Sequence, residues 1–278
     1  MRLLGGEIRK LVRRPATYIT LGIMLAIVGL IYFAVSAAYR SAAAGTNPGG
    51  AAERAGMRLL LSFPSAYAGA LGLITGLGGL LAVAYGAAAA GADWGWGMVK
   101  VAVARGESRS RYILTKLAAV EILLVGGLVI AYAVAVLAAV LAANAAGLGT
   151  AGIDDATVLR KLPEDLARGY IGMAEQGAIG FAIATIARSQ LAGLGAGIAL
   201  YFVEQFSTIF IPDIVKYLPF HVAQSALRIS VGTGGGTGQG QGASTALEPS
   251  LAVGLVFAYL IGAAVASAVM VERAEISG

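Results

Sequence analysis

Six long apolar segments constrain the fold of this chain more than any other feature of its sequence. They cover residues 16–39, 66–90, 112–144, 169–187, 191–211 and 249–271. A helix of about 20 apolar residues crosses the hydrocarbon core of a bilayer. The first segment is too long for the apolar core of a signal peptide, and the third is long enough for its first turns to project into the cytosol. The sequence therefore predicts an all-α, polytopic membrane protein with six transmembrane helices.

The composition excludes a soluble globular protein. Of the 278 residues, 58% are hydrophobic and 13% are charged, and the mean hydropathy is +0.80. The net charge of +5 comes from basic residues that flank the apolar segments, so membrane orientation explains it better than nucleic-acid binding does. Cysteine is absent, which excludes disulfides and thiolate metal sites.

The first 15 residues have the pattern of an amphipathic helix that lies in the membrane interface. Leu4, Ile8 and Leu11 share one helical face, and arginines occupy the opposite face. Pro15 separates this helix from the first apolar segment. Residues 1–15 are therefore predicted to be an interfacial helix beside anionic lipid.

The polar segment 91–116 contains both tryptophans of the chain. Helical spacing places Trp94 and Met98 on one face, so we predict a short amphipathic helix over Asp93 to Arg105 at the membrane surface. In this prediction Asp93 caps the first turn and Gly106 ends the last. The alternative is an ordinary loop that the tryptophans anchor.

The distribution of Lys and Arg predicts that both termini are cytosolic. With the amino terminus inside, the cytosolic segments hold twelve basic residues and the much longer outer segments hold eight. Segment 91–116 is then the main cytosolic loop, and segments 40–64 and 147–168 lie outside. A tight turn at 188–190 joins the fourth and fifth apolar segments.

Between the fifth and sixth apolar segments lies a stretch that is too short and too polar to cross a membrane. It contains the only histidine, His221, and leads into a flexible glycine-rich linker at 232–242. One histidine and no cysteine leave no zinc cluster, so we predict a surface role outside the membrane for His221 rather than catalysis. No Gly-Lys pair exists, so the chain has no phosphate loop of its own and its energy must come from a partner.

Three carboxylates fall within the apolar segments: Glu121, Glu175 and Glu204. An ionisable group in a membrane is costly unless it faces a cavity or a partner. Glu175 and Glu204 lie at similar distances from the turn at 188–190, at about 20 Å along their helices. They are predicted to form a polar layer in the outer half, which contacts cargo or holds an outer gate shut. The alternative is that one of them bonds to loop residues such as Arg168 or to interfacial water.

Other residues could line the same path, although aromatic side chains in a membrane helix usually pack or face lipid. These candidates are Gln205, Tyr85, Tyr201, Phe202 and Phe206.

The order of these elements resembles the membrane subunit of ABC-2-type transporters. The resemblance covers all 278 residues in layout and is carried by three short sequences: EIRKLVRRPATY at 7–18, GMVKVAVARGESRSRYILTKL at 97–117 and IARSQLAGLGAGIAL at 186–200. It implies an interfacial helix at 1–15 and a six-span transmembrane domain at 16–278. Many family members carry one or two acidic residues and then Gly-Thr in the coupling loop, whereas this chain has Asp93 followed by Gly95 and Gly97.

The resemblance also implies partners and roles. A second permease copy would complete a homodimer in the plasma membrane, and two cytosolic ATPase subunits would bind ATP and Mg²⁺, so no cofactor is expected in this chain. The second and fifth spans would line the central path. The helix between the second and third spans would be the coupling helix that the ATPase receives. Its coupling residues would be Asp93, Trp94, Trp96, Met98, Lys100 and Arg105.

The sequence thus favours the permease subunit of an ATP-driven exporter of a hydrophobic or amphipathic substrate. The alternative is a secondary transporter, or a polytopic component without transport activity, that uses the intramembrane glutamates. An enzyme is less favoured because no catalytic constellation is present.

Overall fold

The computed structural model describes residues 2–45, 50–104, 106–227 and 247–273, and these residues form helices and connecting turns without strands. The all-α prediction is therefore confirmed for this part of the chain. The helices are α1 (Arg2–Val12), α2 (Pro15–Ala44), α3 (Gly50–Leu61), α4 (Ser65–Gly95), α5 (Met98–Ala104), α6 (Arg109–Ala145), α7 (Ala156–Ala187), α8 (Gln190–Ser207), α9 (Pro212–Val215), α10 (Pro219–Leu227) and α11 (Pro249–Glu272).

Four of the helices, α2, α4, α6 and α11, are long and apolar enough to cross a membrane. Many of their large apolar side chains are exposed in the single chain, for example Phe33 on α2 and Leu141 on α6. Many large apolar side chains on a surface are unfavourable in water and favourable in contact with lipid. These four helices are typical of a protein that spans a membrane.

Helix α4 is the central element, and it packs most extensively against α7. Glycines allow the two backbones to approach closely: a Cβ atom added at Gly86 would lie 2.0 Å from the carbonyl oxygen of Gly177, and one added at Gly180 would lie 2.1 Å from that of Val83. Close packing through small residues is typical of helix contacts in membranes. Glycine is therefore required at these positions because no side chain fits.

Helix α7 is a single helix of 32 residues and begins earlier than the sequence analysis predicted. We expected an aqueous loop up to residue 168 and a span from 169. Asp155 instead caps α7, because its side chain accepts hydrogen bonds from the backbone N–H groups of Thr157 and Val158. Hydrogen bonds from the hydroxyl and backbone N–H of Thr157 also hold the pKa of Asp155 below its usual value.

The predicted surface helix from Asp93 to Arg105 is wrong at its amino-terminal end. Asp93 lies in the last turn of α4 and is buried, so it caps no surface helix. The chain turns after Gly95, where Gly97 adopts a left-handed φ of 65°, and α5 begins at Met98. Gly106, with a φ of 82°, follows α5 as expected.

The remaining segments complete the bundle. Helix α8 ends at Ser207, four residues before the predicted end at 211, and Pro212 begins the short helix α9. Helix α10 packs against α7 and α11. The glycine-rich segment 232–242 lies outside the described residues.

Adding one methyl group at the contact between α4 and α7 tests the close packing. Gly86→Ala should lower the free energy of unfolding by about 1–3 kcal/mol, because the new Cβ must displace the backbone of α7. Gly76→Ala is the matched control, because it lies on the same helix and a Cβ there meets nothing within 4 Å. Thermal unfolding in lipid nanodiscs measures both. Equal stability of the two variants would contradict the packing.

Candidate functional site

A buried ionic cluster lies where α4 ends. Asp93 Oδ1 accepts a hydrogen bond from Arg14 Nη2 at 3.0 Å, and Asp93 Oδ2 accepts one from the Tyr112 hydroxyl at 2.5 Å. Lys116 Nζ forms an ion pair with the same Oδ2. We call Arg14, Asp93, Tyr112 and Lys116 the Asp93 cluster.

The Asp93 cluster joins three parts of the fold. Arg14 precedes α2, Asp93 ends α4, and Tyr112 and Lys116 lie one turn apart on the same face of α6. The side chains of Asp93 and Lys116 are each 0% exposed. A buried charge is tolerated when it is paired and hydrogen-bonded, so this carboxylate fixes the ends of α2, α4 and α6 relative to one another.

Helix α1 extends the cluster. The buried Glu7 carboxylate pairs with Lys10 Nζ at 2.5 Å and also interacts electrostatically with Lys116. Lys10 Nζ lies 5.6 Å from the centre of the Tyr112 ring, within the range of a cation–π contact. The amino-terminal helix is therefore held against α6 by charged groups as well as by its apolar face.

Both tryptophans contact arginines from other elements. The Arg14 guanidinium lies over the Trp96 ring at 4.8 Å, and that of Arg188 lies over the Trp94 ring at 5.5 Å. Arg188 belongs to the turn between α7 and α8. The carboxyl-terminal end of α4 thus contacts the turn before α8 through Trp94, and the residue that follows α4, Trp96, contacts the start of α2.

A cavity of about 210 Å³ lies beside these contacts. Arg14, Thr17, Tyr85, Trp96 and Gln190 contribute to its lining. The hydroxyl groups of Thr17 and Tyr85 are hydrogen-bonded at 3.0 Å. Tyr85 therefore lies beside the Asp93 cluster, although the sequence analysis placed it with the path-lining residues.

The structure positions the other predicted coupling residues as follows. Met98 begins α5 and is half-buried, and Trp96 is 66% exposed. Lys100 lies on α5, but its side chain is outside the described part of the structure, as is the whole of Arg105. Sequence reasoning missed Lys116 and Arg14 as partners of Asp93, because it counted them only as cytosolic charges.

A second buried polar group lies on α7, α8 and α10. Glu204 Oε1 accepts hydrogen bonds from the backbone N–H of His221 at 2.6 Å and from its Nδ1 at 3.0 Å, in the tautomer that carries a proton on Nδ1. Glu175 interacts electrostatically with Glu204. We call Glu175, Glu204 and His221 the Glu175 cluster.

The Glu175 cluster concerns two predictions, one for His221 and one for the pair Glu175 and Glu204. His221 is only 6% exposed and contacts Glu204, so the predicted surface role for His221 is wrong. Glu175 and Glu204 interact electrostatically, and their predicted position in the outer half of the membrane stays a prediction. Arg168 pairs with Glu164 in the same helix, through Nη2 and Oε1 at 2.7 Å.

The other predicted path residues lie around or away from this cluster. Tyr201 packs edge-to-face against Phe220, with ring centres 5.2 Å apart. Phe202 and Phe206 point outward from α8, and Gln205 is half-buried. Glu121 lies on α6 opposite Gly177 of α7.

The comparisons with known proteins found no matching family model and no matching curated sequence.

Removing the charge of Asp93 tests the role of the Asp93 cluster. Asp93→Asn should lower the free energy of unfolding by about 3–5 kcal/mol, because Lys116 and Arg14 lose their carboxylate in a buried site. Glu164→Gln is the control, because it breaks an exposed ion pair and should change stability by less than about 1 kcal/mol. Chemical unfolding in mixed micelles measures both.

The double variant Asp93→Asn/Lys116→Met provides the decisive comparison. It removes the Lys116 charge together with its Asp93 partner. Its loss of unfolding free energy should therefore be smaller than the sum of the losses in the two single variants. Additive effects would contradict a shared cluster.

Proposed function

We propose that this chain is the transmembrane permease subunit of an ATP-driven ABC-2-type exporter in the plasma membrane. It would work as a homodimer with two cytosolic ATPase subunits that bind ATP and Mg²⁺. The observation that carries the proposal is the position of α5, a short helix that joins α4 to α6 and packs against both of the helices that Asp93 links. The resemblance in layout supports the same assignment.

The relative directions of the helices support six crossings of the membrane. Gly169 of α7 faces Leu71 of α4, and Gly180 faces Val83, so α4 and α7 run parallel. Because α6 lies between them in the chain, α4 and α7 would cross in one direction and α6 in the other. Gly193 of α8 faces Ala184 and Gly197 approaches Gly180, so α8 returns antiparallel to α7.

The same directions support a common side for the elements that would meet the ATPase. The end of α4, the turn before α8 and the start of α2 meet at one end of the bundle, where Asp93 contacts Arg14 and Trp94 contacts Arg188. With the basic amino terminus in the cytosol, α5 lies there too.

A force on α5 would reach the bundle by two routes. One passes through the turn at Trp96 to the end of α4 and the Asp93 cluster, and the other passes through Arg109 to the start of α6. Because Asp93 links α4 to α6 and to the start of α2, these helix ends would move together when the ATPase closes. The central path would follow α4 and α8, and the outward-facing Phe202 and Phe206 suit a hydrophobic or amphipathic substrate.

The test reconstitutes this chain in nanodiscs with a candidate cytosolic ABC ATPase from the same genome. Wild-type permease should stimulate ATP hydrolysis, and Val101→Glu should abolish the stimulation, because Val101 lies on α5 and is 40% exposed. Ala151→Glu, at an exposed position in the loop before α7, is the control and should leave stimulation intact.

Labelling of single-cysteine variants distinguishes the proposed membrane orientation, with α5 in the cytosol, from the opposite orientation. The chain has no native cysteine, so Val101→Cys and Ala151→Cys each introduce a unique thiol. An impermeant maleimide should label Ala151→Cys in intact cells and Val101→Cys only after permeabilisation. The reverse pattern, or transport driven by an ion gradient without any ATPase, would overturn the proposal.

A further inference from the structure

Glu175 is a fully buried carboxyl group whose oxygen atoms have no hydrogen-bond partner among the described residues. Its side chain is 0% exposed, and both Oε1 and Oε2 are unpartnered. A buried ionised carboxylate without hydrogen bonds or a counter-charge is strongly disfavoured. The site therefore requires either a positive charge close to Glu175 or a proton on its carboxyl group.

Glu204 makes the ionised form of Glu175 less favourable still. Glu204 is 1% exposed, and its Oε1 accepts two hydrogen bonds from His221. Hydrogen bonds to a carboxylate favour its charged form. Two neighbouring carboxylates in an apolar site do not both ionise readily, so one of them holds a proton. Glu204 Oε1 has two hydrogen-bond donors, whereas neither Glu175 oxygen has one, so Glu175 is the carboxyl group of the pair that needs a bound proton.

Of the groups that the surrounding helices place near this pair, His221 can carry a positive charge, and it is bonded to Glu204 and not to Glu175. Helix α8 contributes Tyr201, α11 contributes Tyr259, and α6 contributes Glu121 beside Gly177. Helix α4 presents Gly79 to the neighbouring Gln176. Within the described ranges, no Lys or Arg forms an ion pair with either glutamate.

The ligand chemistry that best fits the site is a proton. No group of three or more His, Asp and Glu side chains in the described part of the chain has the arrangement of a metal site. A proton needs only one carboxylate oxygen, whereas a metal cation needs several ligands around it.

We propose that Glu175 is an exchangeable proton-binding site in the membrane, beside Glu204, which His221 holds in place through two hydrogen bonds. One proton passes from water to a Glu175 oxygen on binding and returns to water on release. Release requires water to reach Glu175, which is fully buried in this structure. The inference does not depend on the proposed transport function.

Infrared spectroscopy of the full chain in nanodiscs tests this site, because a protonated carboxyl group has a C=O stretching band that a carboxylate lacks. At neutral pH the wild type should show this band, and the band should shift in deuterated water. Glu175→Gln should lose the Glu175 component of the band, and Glu164→Gln, which changes an exposed and ion-paired carboxylate, should keep it.

Two results would overturn the proposal. One is an identical carboxyl band in the wild type and Glu175→Gln at neutral pH, which shows that Glu175 is ionised. The other is disappearance of the Glu175 component when sodium, potassium or calcium is added at constant pH, which shows a metal-cation site.

A second variant keeps the test valid if Glu175→Gln does not fold. Glu121→Gln removes another glutamate of the described residues whose two carboxylate oxygens are buried without hydrogen-bond partners, and it leaves the Glu175 cluster intact. Its spectrum with ¹³C-labelled glutamate should still contain an isotope-shifted carboxyl band at neutral pH. Absence of that band would contradict the proposal.

Discussion

The pairing of Asp93 with Lys116 and Arg14 is the interaction on which the arrangement of the helix ends depends. Lys116 is fully buried, and a buried ammonium group is stable only beside an opposite charge. Asp93 supplies that charge and also accepts hydrogen bonds from Arg14 and Tyr112. Because these donors come from the start of α2 and from α6, the carboxylate at the end of α4 holds three elements in register.

Close packing of α4 on α7 connects this end of the bundle with the Glu175 cluster. Helix α4 carries Asp93 in its last turn, and its glycines lie directly against the stretch of α7 that follows Glu175. Contacts through Gly86 and Gly180 leave little room for independent sliding of the two backbones. The two buried polar sites therefore lie on one continuous helix pair.

Local patterns in the sequence predicted most of the helices but not the buried charge pairs. Apolar length placed the third long helix at 112–144, and the structure has it at Arg109–Ala145. Similar distances from one turn predicted that Glu175 and Glu204 lie at similar depth. The role of Asp93 was predicted wrongly because its partners lie far away in sequence. A single acidic residue before glycines has the local pattern of a helix cap. Burial of His221 also arises from tertiary packing, which no local periodicity encodes.

Amide hydrogen exchange of the wild type and Asp93→Asn in nanodiscs tests most directly whether one carboxylate holds three elements together. Protection should fall jointly in α1 and the start of α2, the last turns of α4 and the first turns of α6, while α7 around Glu175 keeps its protection. A change confined to the last turn of α4, with α1 and α6 exchanging as in the wild type, would contradict the account.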